Sequence, residues 1–363
     1  MSLVPKHIEL LKSYKAGKPI DELKREKGLD KIIKLASNEN PLGPSPVAVK
    51  KTIDCLNSTH RYPDPSSFLL RSKLAKKFDL KIENVIVGSG SEGIMSAIMR
   101  TFLSIDDEII ATKNSFIGFR VLADASGRKV NWVNMKDYHY DLRAMAACLS
   151  NKTKIIYLAN PDNPTGTFFS KDDFDIFMDK VPSRVLVILD EAYFEYAQET
   201  IHYPNSMDYR HDNVITLRTF SKAYGLSGYR IGYGFGHKDL IDNLMKVKLP
   251  FEPSMPAQYA GIAAMDDTNH INNTIINNIE GYKFLSKNFK SLGIKYINSV
   301  TNFITILLDT KAESLDLTDY MLNKGIILRH LESFGLPNAI RITIGTKSEN
   351  EILVKYMKGR FAK

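Results

Sequence analysis

Residues 213–225 read NVITLRTFSKAYG, and the run continues as LSGYRIGYG to Gly234. Its first half is a short β-branched, apolar stretch, the composition of a strand. It then breaks abruptly into Ser221, Lys222, Ala223 and Tyr224. Three other stretches follow the same plan: NVIVG (84–88) runs into a GSGSEG loop, KIIYLAN (154–160) into PDNPTG, and VLVILD (185–190) into EAY. Such runs alternate with longer segments of helical periodicity, the pattern of a parallel α/β sheet. Ligands of open parallel sheets bind beyond the carboxyl ends of the strands, so these four segments are expected to meet at one crevice.

Working outward from that core, the large α/β domain is expected over residues 46–255, its mainly parallel sheet flanked by helices. Residues 1–45 hold Pro5, Gly17, Pro19 and the stretch NENPLGPSP, and read as an N-terminal arm and entry loop. After FEPSMP (251–256) the texture changes to a helical stretch, then NFITILLD, SLDLTDYMLNKG and AIRITIG. That order predicts a smaller α+β C-terminal domain over 256–363. The 363-residue length accommodates two cores, and no internal repeat or low-complexity segment interrupts them.

Composition excludes several classes. With 44% hydrophobic and 25% charged residues the chain has no disordered or fibrous bias. Lys6, Glu9 and Lys12 interrupt the apolar core that a secretory signal needs, so a cytoplasmic location is expected. Runs such as Val185 to Leu189 are far short of the roughly 18 residues of a membrane span. Cys55 and Cys148 stand alone, which argues against a CxxC metal or redox motif and leaves no metal site expected. The net charge of +8 raises the question of anionic partners, but the basic residues are scattered, and stretches such as Lys73 to Lys77 read as solvated helix faces. No nucleic-acid or membrane partner is expected.

Gly88, Gly90 and Gly93 satisfy a GxGxxG pattern, and Asp107 follows at about the distance of a ribose-binding acid. The acid precedes the next apolar run, EIIAT, instead of closing it, so the dinucleotide reading fails on geometry. What survives is a glycine loop entering a helix, whose free N–H groups suit one phosphate. Lys222, among small and aromatic residues at a strand end, is placed for desolvation, which frees a neutral amine for attack on an aldehyde. A solvated surface lysine is the bland alternative for an isolated Ser-Lys pair. Thr219 and Arg230 nevertheless supply a hydroxyl and a guanidinium within reach of a phosphate. Asp190 closes an apolar strand where a lone carboxylate is costly without a cationic partner such as a protonated pyridine nitrogen, or else serves as a helix cap or buried ion pair. Tyr193 and Asn163 are candidates to hold a ring oxygen, and Phe116 to stack on a flat ring; a core tyrosine, an Asx turn and a core aromatic are their ordinary readings.

Taken together and in this order, GSGSEG, NPTG, DEAY, SKAYGLSGYRIGY and RITIG resemble the fold type I pyridoxal-phosphate-dependent aminotransferases. More narrowly, SYKAGKPIDELKREKGLDKIIKLASNENPLGPSP, RYPDP and GIILRHLESFGLPNAIRITIGT are similar to the histidinol-phosphate aminotransferase family over nearly the whole chain. The resemblance implies pyridoxal 5'-phosphate as cofactor, carried by Lys222 as a Schiff base, with Asp190 at the ring nitrogen and Asn163 and Tyr193 at the ring phenolate. It assigns Gly90, Ser91, Thr219, Ser221 and Arg230 to the cofactor phosphate, Phe116 to the stacking place, and Tyr62 to the phosphate of a neighbouring subunit in a homodimer with shared sites. On the substrate side it implies Tyr14 and Asn40, with Arg329 and Arg341 facing the anionic end. The implied reaction interconverts histidinol phosphate and 2-oxoglutarate with imidazole-acetol phosphate and glutamate, by a ping-pong cycle in histidine biosynthesis.

Three positions depart from the pattern. Asp162 stands for the first Asn of the common PNNPTG, Tyr229 for a Leu before the phosphate arginine, and Phe116 for a frequent Tyr. None removes a group that the chemistry needs, so they bear on substrate preference. An aromatic amino-acid or other phosphorylated-amine aminotransferase, or a threonine-phosphate decarboxylase, shares the same frame. A sensor domain of a transcription regulator is the alternative from a different class, and it would require an attached DNA-binding domain.

Overall fold

The computed structural model describes residues 3–13, 19–29, 31–208 and 210–361. Its strands, in chain order, are β1 (Ile33–Lys34), β2 (Val85–Gly88), β3 (Glu108–Thr112), β4 (Lys129–Val133), β5 (Thr153–Ala159), β6 (Leu186–Asp190), β7 (Val214–Thr219), β8 (Gly232–Phe235), β9 (Lys295–Ile297), β10 (Phe303–Leu307), β11 (Ile326–Ile327), β12 (Arg329–His330) and β13 (Ala339–Thr343). Strands β2 to β8 form one seven-stranded sheet in the order β2-β8-β7-β6-β5-β3-β4. Neighbours from β7 to β4 run parallel, and β8 is antiparallel to both β2 and β7.

Side chains of a strand alternate between faces, so an apolar run must be covered twice. On one face Ile109, Ile155, Tyr157, Ile188 and Leu217 pack against Ile94 and Ile98 of the helix Gly90–Phe102 and Ile241 and Leu244 of the helix Lys238–Val247. On the other, Ile110, Ile156, Leu158, Val187 and Leu189 meet Met145, Phe174 and Phe177. In strand β8, GYGF, the two glycines have little β propensity and owe their place to close approach. A Cβ on Gly232 would stand 2.5 Å from the Ser91 backbone nitrogen.

The second sheet, β12-β13-β10-β9, is antiparallel throughout. Its apolar face, with Ile304, Ile306, Ile340 and Ile342, shares a core with Leu285, Phe289, Leu353 and Met357 from the helices Thr268–Ser291 and Lys347–Phe361. The segment expected as an arm also enters this core: Ile33 pairs in parallel with Ile326, and the Thr343 backbone N–H donates to Leu35 O at 2.9 Å. From there the chain passes over the carboxyl ends of the large sheet. The opposite face of the small sheet docks there too, Thr305 Oγ1 donating to Pro164 O at 2.6 Å. Among the described residues no helix is long and apolar enough to cross a membrane.

Candidate active site

The loops that follow β2, β3, β5, β6 and β7 enclose one cavity of about 380 Å³. It is lined by Gly90, Ser91 and Glu92 after β2, Phe116 after β3, Asn163 after β5, Asp190 and Tyr193 at the end of β6, and Thr219, Ser221, Lys222 and Arg230 after β7. Ser37 and Glu39 close it from the N-terminal segment. Five strands thus deliver residues at or beyond their carboxyl ends to one place, as the strand-end rule requires.

At one end lies an anion cradle. Gly90 opens its helix with φ +75°, and a Cβ there would stand 2.9 Å from Arg230 Nη2. No side chain caps that helix, so its first N–H groups face the cavity with the positive end of the dipole. Thr219 Oγ1 and Ser221 Oγ lie 3.0 Å apart, and the Ser221 N–H donates to Thr219 Oγ1 at 3.1 Å. Arg230, held in the left-handed region at φ +53°, reaches over this end and pairs with Glu92 at 3.1 Å.

At the other end, Asp190 is buried on an apolar sheet face. Burial pushes its carboxyl up to about 7, against the opposing pull of hydrogen bonds from Tyr157 Oη (2.8 Å) and the Ala192 N–H (3.2 Å). Between the two ends sits the Lys222 amine. Burial first, then the Arg341 charge, pull it down to about 8, so the neutral amine is far more accessible near neutral pH than in an ordinary lysine. Tyr193, pushed up to about 12 by burial, lies under that amine, with Lys222 Nζ 5.7 Å from its ring centre. Asn163 Oδ1 accepts from Arg341 Nη1.

This donor set fits a flat, phosphorylated aldehyde with a basic ring nitrogen. The cradle that a Cβ would fill takes the phosphate, the desolvated amine meets the carbonyl, and the buried carboxylate needs a cation. Among the described residues no group of three or more His, Cys, Asp or Glu side chains could hold a metal ion.

The family model for aminotransferase class I and II matches residues 30–357, and the chain belongs to that family. Within it, the chain is 40% identical to the histidinol-phosphate aminotransferase of Anaeromyxobacter sp. (strain Fw109-5) across 97% of both chains. It is 39% identical to the enzyme of that name from Moorella thermoacetica, over 99% of this chain and 94% of the other. The fold superposes with a TM-score of 0.91 and 25% identity on the histidinol-phosphate aminotransferase of Sinorhizobium meliloti in complex with pyridoxal-5'-phosphate, covering 99% of this chain and 97% of that one. The doubly covered parallel sheet with a smaller antiparallel domain is therefore fold type I.

The structure treats the substrate-side candidates unevenly. Tyr14 lies outside the described residues. Asn40 does not line the cavity: its amide donates to Ala223 O and Thr274 Oγ1, both at 2.9 Å, tying the entry segment to the residue after Lys222. Arg329 and Arg341 are both buried and neither lines the cavity, although Arg341 reaches the lining residue Asn163. Tyr62 is 77% exposed, stacks on Phe251 at 4.2 Å and does not line this chain's own cavity. Reading the sequence missed Asn38, whose Nδ2 donates to Tyr193 Oη at 2.7 Å, and Tyr157. It also missed the network around Asp162, which accepts from Ser115 Oγ at 2.5 Å and Thr165 Oγ1 at 2.9 Å. Tyr157 had a signal, being the only side-chain hydroxyl in the stretch IIYLA. Asn38 had none, because its partner lies 155 residues away.

Proposed function

We propose that this protein transfers the amino group of histidinol phosphate to 2-oxoglutarate with pyridoxal 5'-phosphate as cofactor, giving imidazole-acetol phosphate and glutamate. The observation that carries the reading is the convergence on one cavity of a desolvated lysine amine, a buried strand-end carboxylate and a glycine-and-arginine anion cradle. The relatives named above give the substrate its identity.

When bound, the cofactor supplies an aldehyde that takes up the amino group and a protonated ring that draws electrons from the substrate's Cα–H bond. Lys222 would hold the cofactor through its amine, and that same amine, its proton affinity lowered by burial, would serve as the base that moves a proton at the substrate carbon. Asp190 would face the ring nitrogen and keep a proton there, and Asn163 and Tyr193 would donate to the ring oxygen. The Gly90 and Ser91 N–H groups, Thr219, Ser221 and Arg230 would hold the phosphate, and Phe116 would cover the ring. Arg341 and Arg329 take the anionic end of each substrate in turn, which lets a phosphate monoester and a dicarboxylate use one site.

The working unit of this reading is a cytoplasmic homodimer with Tyr62 reaching the partner's phosphate site. Its support is the run of exposed apolar side chains at Val47, Ile53, Leu56, Tyr62, Phe68 and Leu69, with Leu249 and Phe251 joining it through the stacking of Phe251 on Tyr62. Exposed apolar surface of this kind marks an interface, and a twofold one gives two equivalent sites. A coupled assay comparing histidinol phosphate, histidinol, phenylalanine, tyrosine and aspartate tests the substrate. Histidinol phosphate should have the highest kcat/KM, and equal use of histidinol or an aromatic amino acid rejects the reading.

A further inference from the structure

Strand β5 places Tyr157 two residues before Ala159, and Ala159 is the register partner of Asp190. Tyr157 and Asp190 are therefore diagonal neighbours on one sheet face, within reach for a tyrosine. The phenol donates to Asp190 Oδ2 at 2.8 Å. Its ring is fully buried and lies flat on Phe119, centres 4.0 Å apart and planes 9° apart, so the hydroxyl has one position available. The Ala192 N–H holds Oδ1 at 3.2 Å, and the carboxylate is thus fixed from both sides.

We infer that Tyr157 is a positioning residue for the reaction, its hydroxyl holding Asp190 as a carboxylate and so keeping the shared proton on the cofactor's ring nitrogen. The inference rests on the pyridoxal-phosphate reading above. A donor to an ionised carboxylate lowers its affinity for a proton. In a ring nitrogen and carboxylate pair sharing one proton, the proton resides on the more basic partner, and a buried carboxylate is unusually basic. The other groups that face Asp190 oppose one another: Lys222 from beyond β7 favours the carboxylate and Glu92 from the helix Gly90–Phe102 disfavours it. The phenols of Tyr140 and Tyr193 feel the Asp190 charge as well. Burial raises the Tyr157 phenol well above its ordinary range, so it remains an O–H donor at any working pH.

Enzyme loaded with pyridoxal phosphate carrying 15N in its ring reports the proton's position through the nitrogen chemical shift, without turnover. Wild type is expected at the pyridinium value and Asp190→Ala at the neutral pyridine value. Tyr157→Phe keeps the ring stacked on Phe119 and should fall between them, with Cα–H exchange of bound substrate slowed about tenfold and the cofactor Kd within about threefold of wild type. Phe119→Leu loosens the stack but keeps the hydroxyl within reach of Asp190, and should displace the nitrogen signal much less than Tyr157→Phe does. A Tyr157→Phe signal equal to that of wild type overturns the inference, as does a Phe119→Leu signal displaced as far as that of Tyr157→Phe. A wild-type signal at the neutral value, or one unmoved by Asp190→Ala, overturns instead the Asp190 assignment beneath it.

Discussion

Arg329 on β12 and Arg341 on β13 are direct cross-strand partners, so two buried guanidiniums share one face of the small sheet. Like charges directly opposite one another disfavour the sheet unless something compensates them. Arg341 donates to Asn163 Oδ1 and to Ala36 O at 2.8 Å, and Arg329 to Ser333 Oγ at 3.3 Å. On the reading proposed above, the anionic end of the substrate faces both guanidiniums. Arg341→Lys keeps the charge and loses the fork, so kcat/KM for histidinol phosphate should fall at least about tenfold, roughly 1.4 kcal/mol of transition-state binding. Cofactor absorbance should persist. An unimpaired variant would remove Arg341 from substrate recognition.

Asn38 and Tyr193 form the second testable pair. Because Asn38 Nδ2 donates to the phenol oxygen, the Tyr193 hydrogen must turn elsewhere, and the cavity lies on its open side. Thr343 Oγ1 fixes the amide by donating to Asn38 Oδ1 at 3.2 Å and accepting from the Asn38 N–H at 2.9 Å. Asn38→Ala should lower kcat with little change in KM, and its effect should not add to that of Tyr193→Phe. A double-mutant cycle should give a coupling of about 1 kcal/mol, as residues in one hydrogen-bond network do. Additive losses would mean that Asn38 acts only on the fold.

The buried acids predict a pH dependence. Burial raises Asp190 to about 7, Glu195 to about 7 and Asp162 to about 6, each from an ordinary carboxyl value. Between that value and the raised one, the folded chain holds more protons than the unfolded chain, so stability falls as pH rises. The contribution is fully present below the ordinary carboxyl values and is lost as pH rises from there through the raised values of 6 to 7. A tenfold difference in proton affinity between folded and unfolded chain corresponds to about 1.4 kcal/mol. Lys222, lowered to about 8, acts in the opposite sense at higher pH, where stability rises as the unfolded chain loses its extra proton. Pairing Asp190 with a protonated ring nitrogen removes its share of the loss. Urea unfolding from pH 5 to 8 should therefore show the cofactor-stripped protein weakening while the loaded protein weakens less. Parallel curves would contradict the pairing.

The contrast between Asp190 and Asn38 explains what the sequence disclosed. Strands β5, β6 and β7 are apolar runs ended by polar residues, and a strand's polar termination is a local signal that positions Asp190, Asn163 and Lys222 without knowledge of the partner strands. Strand β8 carries glycines where approach to the Ser91 nitrogen and Leu217 demands them, so packing, not propensity, makes it a strand. Strand β1 pairs with β11 across nearly the length of the chain, and the contacts of Asn40 with Ala223 and Thr274 are equally non-local. The amide of Asn40, which the resemblance assigns to the substrate side, holds the entry segment against the loop of Lys222.

Tyr62 has no role within its own subunit's cavity, since it stands 77% exposed on Phe251 and outside that lining. If it completes the phosphate grip of the other subunit, inactivating changes at Tyr62 and at Lys222 damage different sites of one dimer. In a Lys222→Ala homodimer both sites lack the amine, and in a Tyr62→Ala homodimer both lack the phenol. A hybrid of the two has one site with neither group and one with both, because the Lys222 of the Tyr62→Ala subunit is met by the intact Tyr62 of the other. Random mixing makes half of the dimers hybrids, each with one complete site, so an equal mixture should regain about a quarter of wild-type activity. Co-expressing the two variants with different tags, isolating doubly tagged dimers and assaying them checks this directly. Activity no greater than the average of the two parent homodimers would show that Tyr62 serves its own subunit or none.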